Sequence, residues 1–254
     1  MIDDLAPRLR FDGFDVPYKK KKIRDFCSVK SGSTPLRSNK EYFRHGHIPW
    51  VKTTDLNNSL IIDTEEKVTD LALKETSLKV QPVGSVLVAM YGGFNQIGRT
   101  GLFKEPSATN QALSVLNPRK DEVHSAYLQH YLNAQISRWR RFAASSRKDP
   151  NITSFDVGSF PVLFCSLEEQ NKITDFLTSI DTKISQLTEK HRLLKEYKKG
   201  VIQQIFSQKI RFKDEGGNAF PEWTDKYFGD VFARVTTKNK ENNENVLTIS
   251  AQKG

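Results

Sequence analysis

The chain has 254 residues, and 39 Lys and Arg against 30 Asp and Glu give it a formal net charge of +9 and a pI of about 9.4. The length fits one large domain or two small ones. A mean hydropathy of −0.55, without any apolar run of ~18 residues, excludes a membrane-spanning helix. Two cysteines are too few for a disulfide framework or a Cys-rich zinc site, and no secretory signal is visible. We therefore expect a cytoplasmic globular protein with no membrane partner, whose basic excess favours a polyanion.

Residues 1–22 form an N-terminal segment for which the sequence predicts irregular structure, because it contains Pro7, Gly13 and Pro17. The segment ends in four consecutive lysines at positions 19–22. A charge run of this kind is typical of a solvated face or flexible arm. The alternative with a specific function is an arm that contacts the phosphates of a nucleic acid.

Residues 23–165 are predicted to form one mixed domain, with short apolar runs between turn signals. The runs at 48–51, 60–62 and 85–91 are strand-like. The stretch 126–142 has apolar residues that recur every three or four positions, which predicts one amphipathic helix. Its arginines are concentrated at its end, and no acidic residue lies between positions 138 and 148.

Residues 166–209 contain no proline and a single glycine, and a heptad seam runs through them. The pattern predicts a coiled-coil spacer helix, roughly 60 Å long. His191 and Lys198 are polar seam positions, which fix the register, meet a polar partner, or mark a slightly frayed seam. No other segment has a comparable seam, so the second helix must come from another chain or a missing part of this one. The seam positions are Ile173, Leu177, Ile180, Ile184, Leu187, His191, Leu194, Lys198, Val201 and Ile205.

Residues 210–254 repeat the order of features found in residues 9–55. The triplet LRF at 9–11 returns as IRF at 210–212, and Tyr18 returns as Trp223. The stretch 23–27 corresponds to 228–232 at a spacing of 205 positions, which is also the spacing between Tyr18 and Trp223. The pattern predicts that the last 45 residues begin a second, incomplete copy of a unit composed of one domain and one helix.

The sequence resembles the specificity subunits of type I restriction-modification systems over essentially its whole length. The most specific match is the LEEQ entry into the long heptad helix, directly after the mixed domain. The motifs that carry the resemblance are SGSTP at 31–35, IPWVKTTDL at 48–56, GSVLV at 84–88, IGR at 97–99, TNQA at 109–112, NIT at 151–153, FPV at 160–162, LEEQNKI at 167–173 and KKGVIQQIF at 198–206.

The resemblance implies an α+β fold in which two target recognition domains are separated by two long antiparallel helices. It implies an N-terminal segment (1–22), a first target recognition domain (23–165), a coiled-coil spacer helix (166–209) and the truncated start of a second target recognition domain (210–254). Each domain of such a subunit reads one half of a split double-stranded DNA target, and the helices bind methyltransferase subunits. The subunit has no chemistry and no cofactor of its own. S-adenosylmethionine, ATP and magnesium would belong to the methyltransferase and restriction/translocase partners.

The chain departs from the family pattern in having one complete domain and one helix, as a half-length or cut subunit would. Two copies could pair their helices about a two-fold axis and read a target with identical inverted halves. Two alternatives remain open. One is a coiled-coil adaptor that binds proteins without reading DNA, and the other is an inert relic of gene rearrangement.

For each of three possible catalytic or metal-binding sites, the sequence lacks residues that the site would need. GFNQIGRT at 93–100 nearly matches a phosphate-binding loop, but Arg99 replaces the lysine and no helix pattern follows. The prolines are never adjacent, which excludes the Asn/Asp-Pro-Pro-aromatic motif of a methyltransferase. The HGH triplet at 45–47 lacks further ligands at metal spacing. We therefore expect no catalysis and no metal site in this chain.

DNA contacts are expected from polar side chains in the turns of the domain. Arg can read guanine, and Asn or Gln can read adenine, through paired donors and acceptors in the groove. The candidates for base contacts are Arg44, Asn95, Gln96, Arg99, Asn110 and Gln111. Phosphate contacts need only positive charge or small donors. The candidates for phosphate contacts are Lys30, Ser31, Thr34, Lys52, Thr53, Arg147 and Lys148.

Overall fold

The computed structural model describes residue 7 and residues 9–144 and 151–234. The chain divides into two compact units, residues 1–188 and 189–254. The strands are β1 (Lys19–Lys22), β2 (Cys27–Ser31), β3 (Ile48–Val51), β4 (Ser59–Ile61), β5 (Lys67–Val68), β6 (Val86–Ala89), β7 (Thr100–Phe103), β8 (Ala108–Thr109), β9 (Leu113–Pro118) and β10 (Pro161–Phe164). The helices are α1 (Asp70–Glu75), α2 (Ser125–Ala134), α3 (Ile136–Ala144), α4 (Ser154–Ser159), α5 (Leu167–Phe206) and α6 (Phe228–Val231). None of the helices in these ranges is long and apolar enough to cross a membrane.

The first unit is built around a five-stranded sheet of order β2-β9-β6-β7-β4, flanked by a three-stranded sheet of order β5-β3-β8. Every residue of the central strand β6 is buried, because its two faces serve two cores. Val86 and Val88 pack into the larger core, and Leu87 and Ala89 pack into the smaller one. Alternation of side chains along a strand explains why this run is continuously apolar. The fold is mixed α+β, as expected.

The N-terminal lysine run is a strand, which corrects the expectation of an irregular segment for residues 19–22. β1 pairs antiparallel with β10, from Lys19 opposite Phe164 to Lys22 opposite Pro161. Strand pairing depends on backbone groups, and three of the four lysine side chains are exposed to water. Four consecutive charged residues can therefore form an edge strand. Lys21 also forms an ion pair of 2.6 Å with Glu122. The residues before the predicted domain boundary at 22/23 therefore pack with the domain.

The single helix predicted for 126–142 is two helices, α2 and α3, separated at Gln135. That residue has φ −103° and ψ 11°, outside the helical range. The break redirects the chain so that Trp139 stacks on Phe160, with ring centroids 3.9 Å apart. Burial of this large indole, which is fully inaccessible to solvent, outweighs continuation of the helix.

The long helix predicted after the domain is confirmed as α5, a helix of 40 residues. In its first two turns Glu169, Gln170 and Thr174 are buried against the domain. Farther along, large apolar side chains of the seam remain in water, among them Ile184 at 56% and Leu187 at 53% exposure. This uncovered stripe is the surface that a second helix would cover.

The second unit contains the end of α5 and a short segment in which a local hydrogen bond of the N-terminal segment recurs. The amide of Lys22 donates to the carboxylate of Asp25, and the amide of Tyr227 donates to that of Asp230, both at 2.9 Å. These pairs are related by the same spacing of 205 positions as the sequence repeat. The predicted start of a second domain stays a prediction, because residues beyond 234 lie outside the described ranges.

Candidate nucleic-acid interface

Three strands of the first unit end at one edge. β2 and β6 are both antiparallel to β9, with Ser31 opposite Ser114 and Ala89 opposite Leu113, so their ends meet at the start of β9. β3 is parallel to β8, with Val51 opposite Thr109, and β8 leads directly into the same turn. The turns that follow these strand ends therefore form one surface, which we call the strand-end surface (residues 31–34, 52–53, 90–99 and 109–112).

The first part of this surface is the contact between residues 31–34 and 109–111. A Cβ on Gly32 would lie within 2.1–2.3 Å of Thr109 and Asn110 atoms, so only glycine permits this approach. The hydroxyl of Thr34 donates to the side-chain oxygen of Gln111. Asn110 uses its own side-chain oxygen to accept the amide of Ala112 at 3.2 Å, which stabilises the turn. Gln111 remains exposed, whereas Asn110 is partly committed to the fold.

The second part is the loop of residues 90–99 between β6 and β7. Gly92, Gly93 and Gly98 have φ of +107°, +85° and +78°, conformations that L side chains rarely adopt. The loop exposes Asn95 and leaves Gln96 and Arg99 half-buried. The side chain of Arg99 has no hydrogen bond or ion pair with any described residue. A Cβ on Gly92 would lie 3.4 Å from the Thr53 hydroxyl, which places Thr53 beside the loop.

Two aromatic side chains of this loop were missed by the sequence analysis. Tyr91 is 41% exposed and Phe94 is 47% exposed. The only signal in the sequence was their position on either side of Gly92-Gly93 at the end of a strand-like run. Exposed aromatic rings beside polar groups can contact sugars or bases.

A basic helix borders the loop. α3 contains Arg138, Arg140 and Arg141 and no acidic residue. The Arg140 guanidinium lies over the Phe94 ring, 5.8 Å from its centroid, and the Arg140 Nε is buried without a hydrogen bond among the described residues. α3 leads into residues 145–150, so the predicted phosphate contacts Arg147 and Lys148 lie outside the described residues.

Lys52 is held by two carboxylates of the domain itself. Its ammonium lies 2.7 Å from Glu65 and 3.1 Å from Glu66. Burial alone would lower the pKa of Lys52, but the hydrogen bonds that its ammonium donates to both carboxylates outweigh burial and raise the pKa. The charge of Lys52 is therefore compensated within the fold, and we do not include it among the proposed phosphate contacts.

The structure brings most of the predicted DNA contacts together, with one clear outlier. Arg44 precedes β3, at the opposite end of that strand from Lys52 and Thr53, and it is exposed there. Lys30 is exposed in β2 and has no ion pair among the described residues. The predicted residues that share the strand-end surface or adjoin it are Lys30, Ser31, Thr34, Lys52, Thr53, Asn95, Gln96, Arg99, Asn110 and Gln111.

The chemistry available at this surface is that of hydrogen bonding and positive charge. Within the described ranges no group of three or more His, Cys, Asp or Glu residues could hold a metal ion. Amide and guanidinium side chains that point from glycine-rich turns are suited to reading base edges, and a neighbouring helix of arginines is suited to phosphates.

The first unit is a mixed α+β domain that leads directly into a long helix. The sequence profile described as "Type I restriction modification DNA specificity domain" matches residues 15–196. The chain belongs to this family, whose members recognise DNA and are not themselves catalytic. It is 28% identical over 236 residues to the type I restriction enzyme MjaIX specificity subunit of Methanocaldococcus jannaschii, covering 88% of this chain and 54% of that protein. It is 25% identical over 162 residues to the EcoR124I/EcoR124II specificity subunit of Escherichia coli, covering 62% of this chain and 39% of that protein.

Solved structures share the fold. The HsdS subunit from Thermoanaerobacter tengcongensis matches 73% of this chain and 42% of its own with a TM-score of 0.53 and 20% identity. The type I S subunit from M. genitalium matches 83% of this chain and 50% of its own with a TM-score of 0.57 and 17% identity. The chain thus spans about half the length of the curated relatives it matches first, or less.

Proposed function

We propose that this chain is a DNA specificity subunit whose strand-end surface reads one half of a bipartite target. The observation that supports this most is the convergence of ten sequence-predicted contacts at or beside one edge of the first unit, although they come from distant parts of the sequence. Family membership supports DNA as the ligand.

The polar side chains of the strand-end surface divide into two roles. Asn95, Arg99 and Gln111 contact base edges, because they lie on turns that follow the strand ends and are exposed or half-exposed there. Gln96 is left out of this set, because its side-chain oxygen is buried. Lys30, Ser31 and Thr53 contact phosphates, as do the arginines of α3, and they position the domain on the duplex. Thr34 instead holds Gln111 in place, because its hydroxyl donates to the Gln111 side-chain oxygen.

The second part of the proposal concerns α5. We propose that it docks methyltransferase subunits and pairs with α5 of a second copy through the uncovered seam. The exposed aliphatic stripe supports a helix as the partner. S-adenosylmethionine would be bound by the methyltransferase subunits, and ATP and magnesium by restriction/translocase subunits. Two free thiols, Cys27 and Cys165, are compatible with action in the cytoplasm.

The DNA proposal is tested with three variants of single cationic residues. Lys30→Ala should weaken binding to all sequences alike and reduce the slope of log K against log salt by about 0.9. Arg99→Ala should relax the choice of base at one position, at a cost of about 1–3 kcal/mol on the preferred sequence. Fluorescence anisotropy with a randomised oligonucleotide set measures both effects.

Arg44→Ala is the matched control, since it removes an exposed arginine at the other end of β3. It should leave both affinity and base choice unchanged. If Arg44→Ala changes base choice while Arg99→Ala does not, the strand-end surface is the wrong surface.

Partner docking is tested by co-expression with a type I methyltransferase subunit, followed by purification and mapping of methylated adenines. Co-purification with site-specific methylation is the expected result. Co-purification without any DNA binding would instead establish a protein-binding adaptor.

A further inference from the structure

The start of α5 holds the N-terminal segment through one buried carboxylate. Glu169, whose side chain is only 1% exposed, accepts two bonds of 2.7 Å from the Arg10 guanidinium and one of 2.9 Å from the Tyr18 hydroxyl. Arg10 also donates to the carbonyl of Val16 at 2.7 Å. Phe11 packs edge-on against Phe176 of α5, with centroids 5.8 Å apart. We call this arrangement around Glu169 the Glu169 socket.

The chain contains a second copy of the segment that fills this socket. Arg211 occupies the place of Arg10 in the repeat, and Trp223 that of Tyr18. Arg211 donates to the carbonyl of Pro221, two residues before Trp223, as Arg10 donates to the carbonyl two residues before Tyr18. In both copies the arginine therefore bonds to the backbone just before the aromatic residue, although the second copy contains four more residues between them.

The second copy lacks a buried acceptor. Arg211 pairs with Glu222 at 2.6 Å, and its own side chain is 22% exposed, but the Glu222 side chain is 83% exposed. An ion pair whose carboxylate lies in water contributes little, whereas a bidentate pair with a buried carboxylate is strong. Phe212, the counterpart of Phe11, is 69% exposed. Trp223 packs edge-on against Phe206 of α5, with centroids 5.9 Å apart, but remains half exposed. The segment carries the kinds of side chain that fill a Glu169 socket, and much of its apolar surface is left in water.

We propose that residues 210–223 of one copy bind the Glu169 socket of a second copy, in exchange for that copy's own residues 9–18. Arg211 then takes the bidentate position on Glu169, Trp223 Nε1–H replaces the Tyr18 hydroxyl as donor, and Phe212 packs on Phe176. Exchange of equivalent elements between identical chains costs little, because the ion pair, hydrogen bond and ring packing that form are of the same kinds as those they replace.

The occupant is a second copy because this chain supplies both the socket and the matching segment. This inference rests on the proposed pairing of two α5 helices. In an antiparallel pair, the last turn of one helix lies beside the first turn of the other. Ile210 follows the last residue of α5, Phe206, by four positions, and Glu169 lies in the first turn. Pairing therefore brings each C-terminal segment to the socket of the other copy.

Cross-linking between chains tests the contact directly. Full-length Phe212→Cys and Phe176→Cys chains are mixed and oxidised, and an interchain disulfide specific to the mixture is expected. Phe155→Cys in place of Phe176→Cys is the control, since Phe155 is 73% exposed on α4 and outside the socket. A yield no higher than that of the control overturns the exchange.

Sedimentation equilibrium measures the same contact as a dissociation constant of the dimer. Arg211→Ala should weaken the dimer about tenfold or more, whereas Arg10→Ala should strengthen it, because the competing segment is removed. Lys213→Ala is the matched control, as it removes a neighbouring charge that has no ion pair among the described residues. A merely structural role of Arg10 would not strengthen the dimer.

The outcomes separate the two proposals. A dimer that is equally stable with Arg211→Ala and Lys213→Ala overturns the exchange and leaves the pairing of α5 intact. A chain that stays monomeric at every concentration overturns both.

Discussion

At the scale of single residues, the motif at the entry of the long helix has a physical role. In LEEQ, Glu168 is exposed while Glu169 and Gln170 are buried. The side-chain amide of Gln170 donates to the carbonyls of Glu122 and Cys165, both at 3.1 Å, and its oxygen accepts the amide of His124 at 2.9 Å. Together with the bonds from Arg10 and Tyr18 to Glu169, these contacts tie α5 to the domain. The sequence marked the motif as specific, but it could not show which of its residues are buried.

The acid stability of the first unit should depend on Glu169. Burial by itself would raise the pKa of this carboxyl, but the hydrogen bonds from Arg10 and Tyr18 outweigh burial and lower it. A lowered pKa contributes stability that is present above the unfolded value, about 4.3, and is lost as pH falls through the folded value. Glu169→Gln should therefore reduce the free energy of unfolding at pH 7 by about 2 kcal/mol and flatten its acid dependence. Urea titrations at several pH values measure this.

Glu168→Gln is the matched control for that experiment, since the neighbouring carboxylate is exposed. It should leave the pH dependence as in the wild type. Equal effects of the two variants would show that Glu169 is not the residue that couples pH to stability.

At the scale of elements, the loop 90–99 and α3 depend on one close contact. A Cβ on Gly98 would lie 2.7–2.9 Å from side-chain atoms of Trp139, and φ at Gly98 is +78°. Gly98→Ala should therefore cost about 2–4 kcal/mol through strain and displacement of the indole. Thermal unfolding measures the loss, and binding of DNA should weaken as the loop shifts.

Gly93→Ala separates these two causes. Gly93 has a similar φ of +85° but nothing within 4 Å of a Cβ, so only the backbone strain applies. A cost as large as that of Gly98→Ala would mean that the contact with Trp139 contributes nothing.

The seam of α5 gives a prediction at the same scale. Leu187 is a seam position and is 53% exposed. Leu187→Glu should abolish self-association by placing a charge in the helix interface, with no loss of stability in the first unit. Gln186→Glu, one position outside the seam, is the control and should leave the dimer intact. Light scattering over a range of concentrations measures both.

At the scale of the whole molecule, the distribution of charge and the pairing of two copies lead to one prediction. Residues 167–208 contain seven Lys and Arg against six Asp and Glu, so almost all of the net +9 lies outside the helix. Two identical chains related by a two-fold axis should direct the methyltransferase subunits to adenines in a target with identical inverted halves. Sequencing of methylated adenines in cells that express this chain with a methyltransferase subunit measures the target. An asymmetric target would contradict a homodimer.

Patterns with a local cause could be predicted from the sequence alone. The heptad seam predicted α5, because helix periodicity depends only on spacing along the chain. The repeat related 23–27 to 228–232, and the structure shows the same capping hydrogen bond at Asp25 and Asp230, because capping acts within three residues.

Features that depend on distant contacts were decided by the tertiary structure. The lysines of β1 became a strand because β10 offers backbone partners, and the helix predicted for 126–142 broke at Gln135 because Trp139 packs against Phe160. The same distinction explains the candidate interface: residue types predicted DNA contacts, but only the parallel and antiparallel pairing of strands decided which of them share one surface.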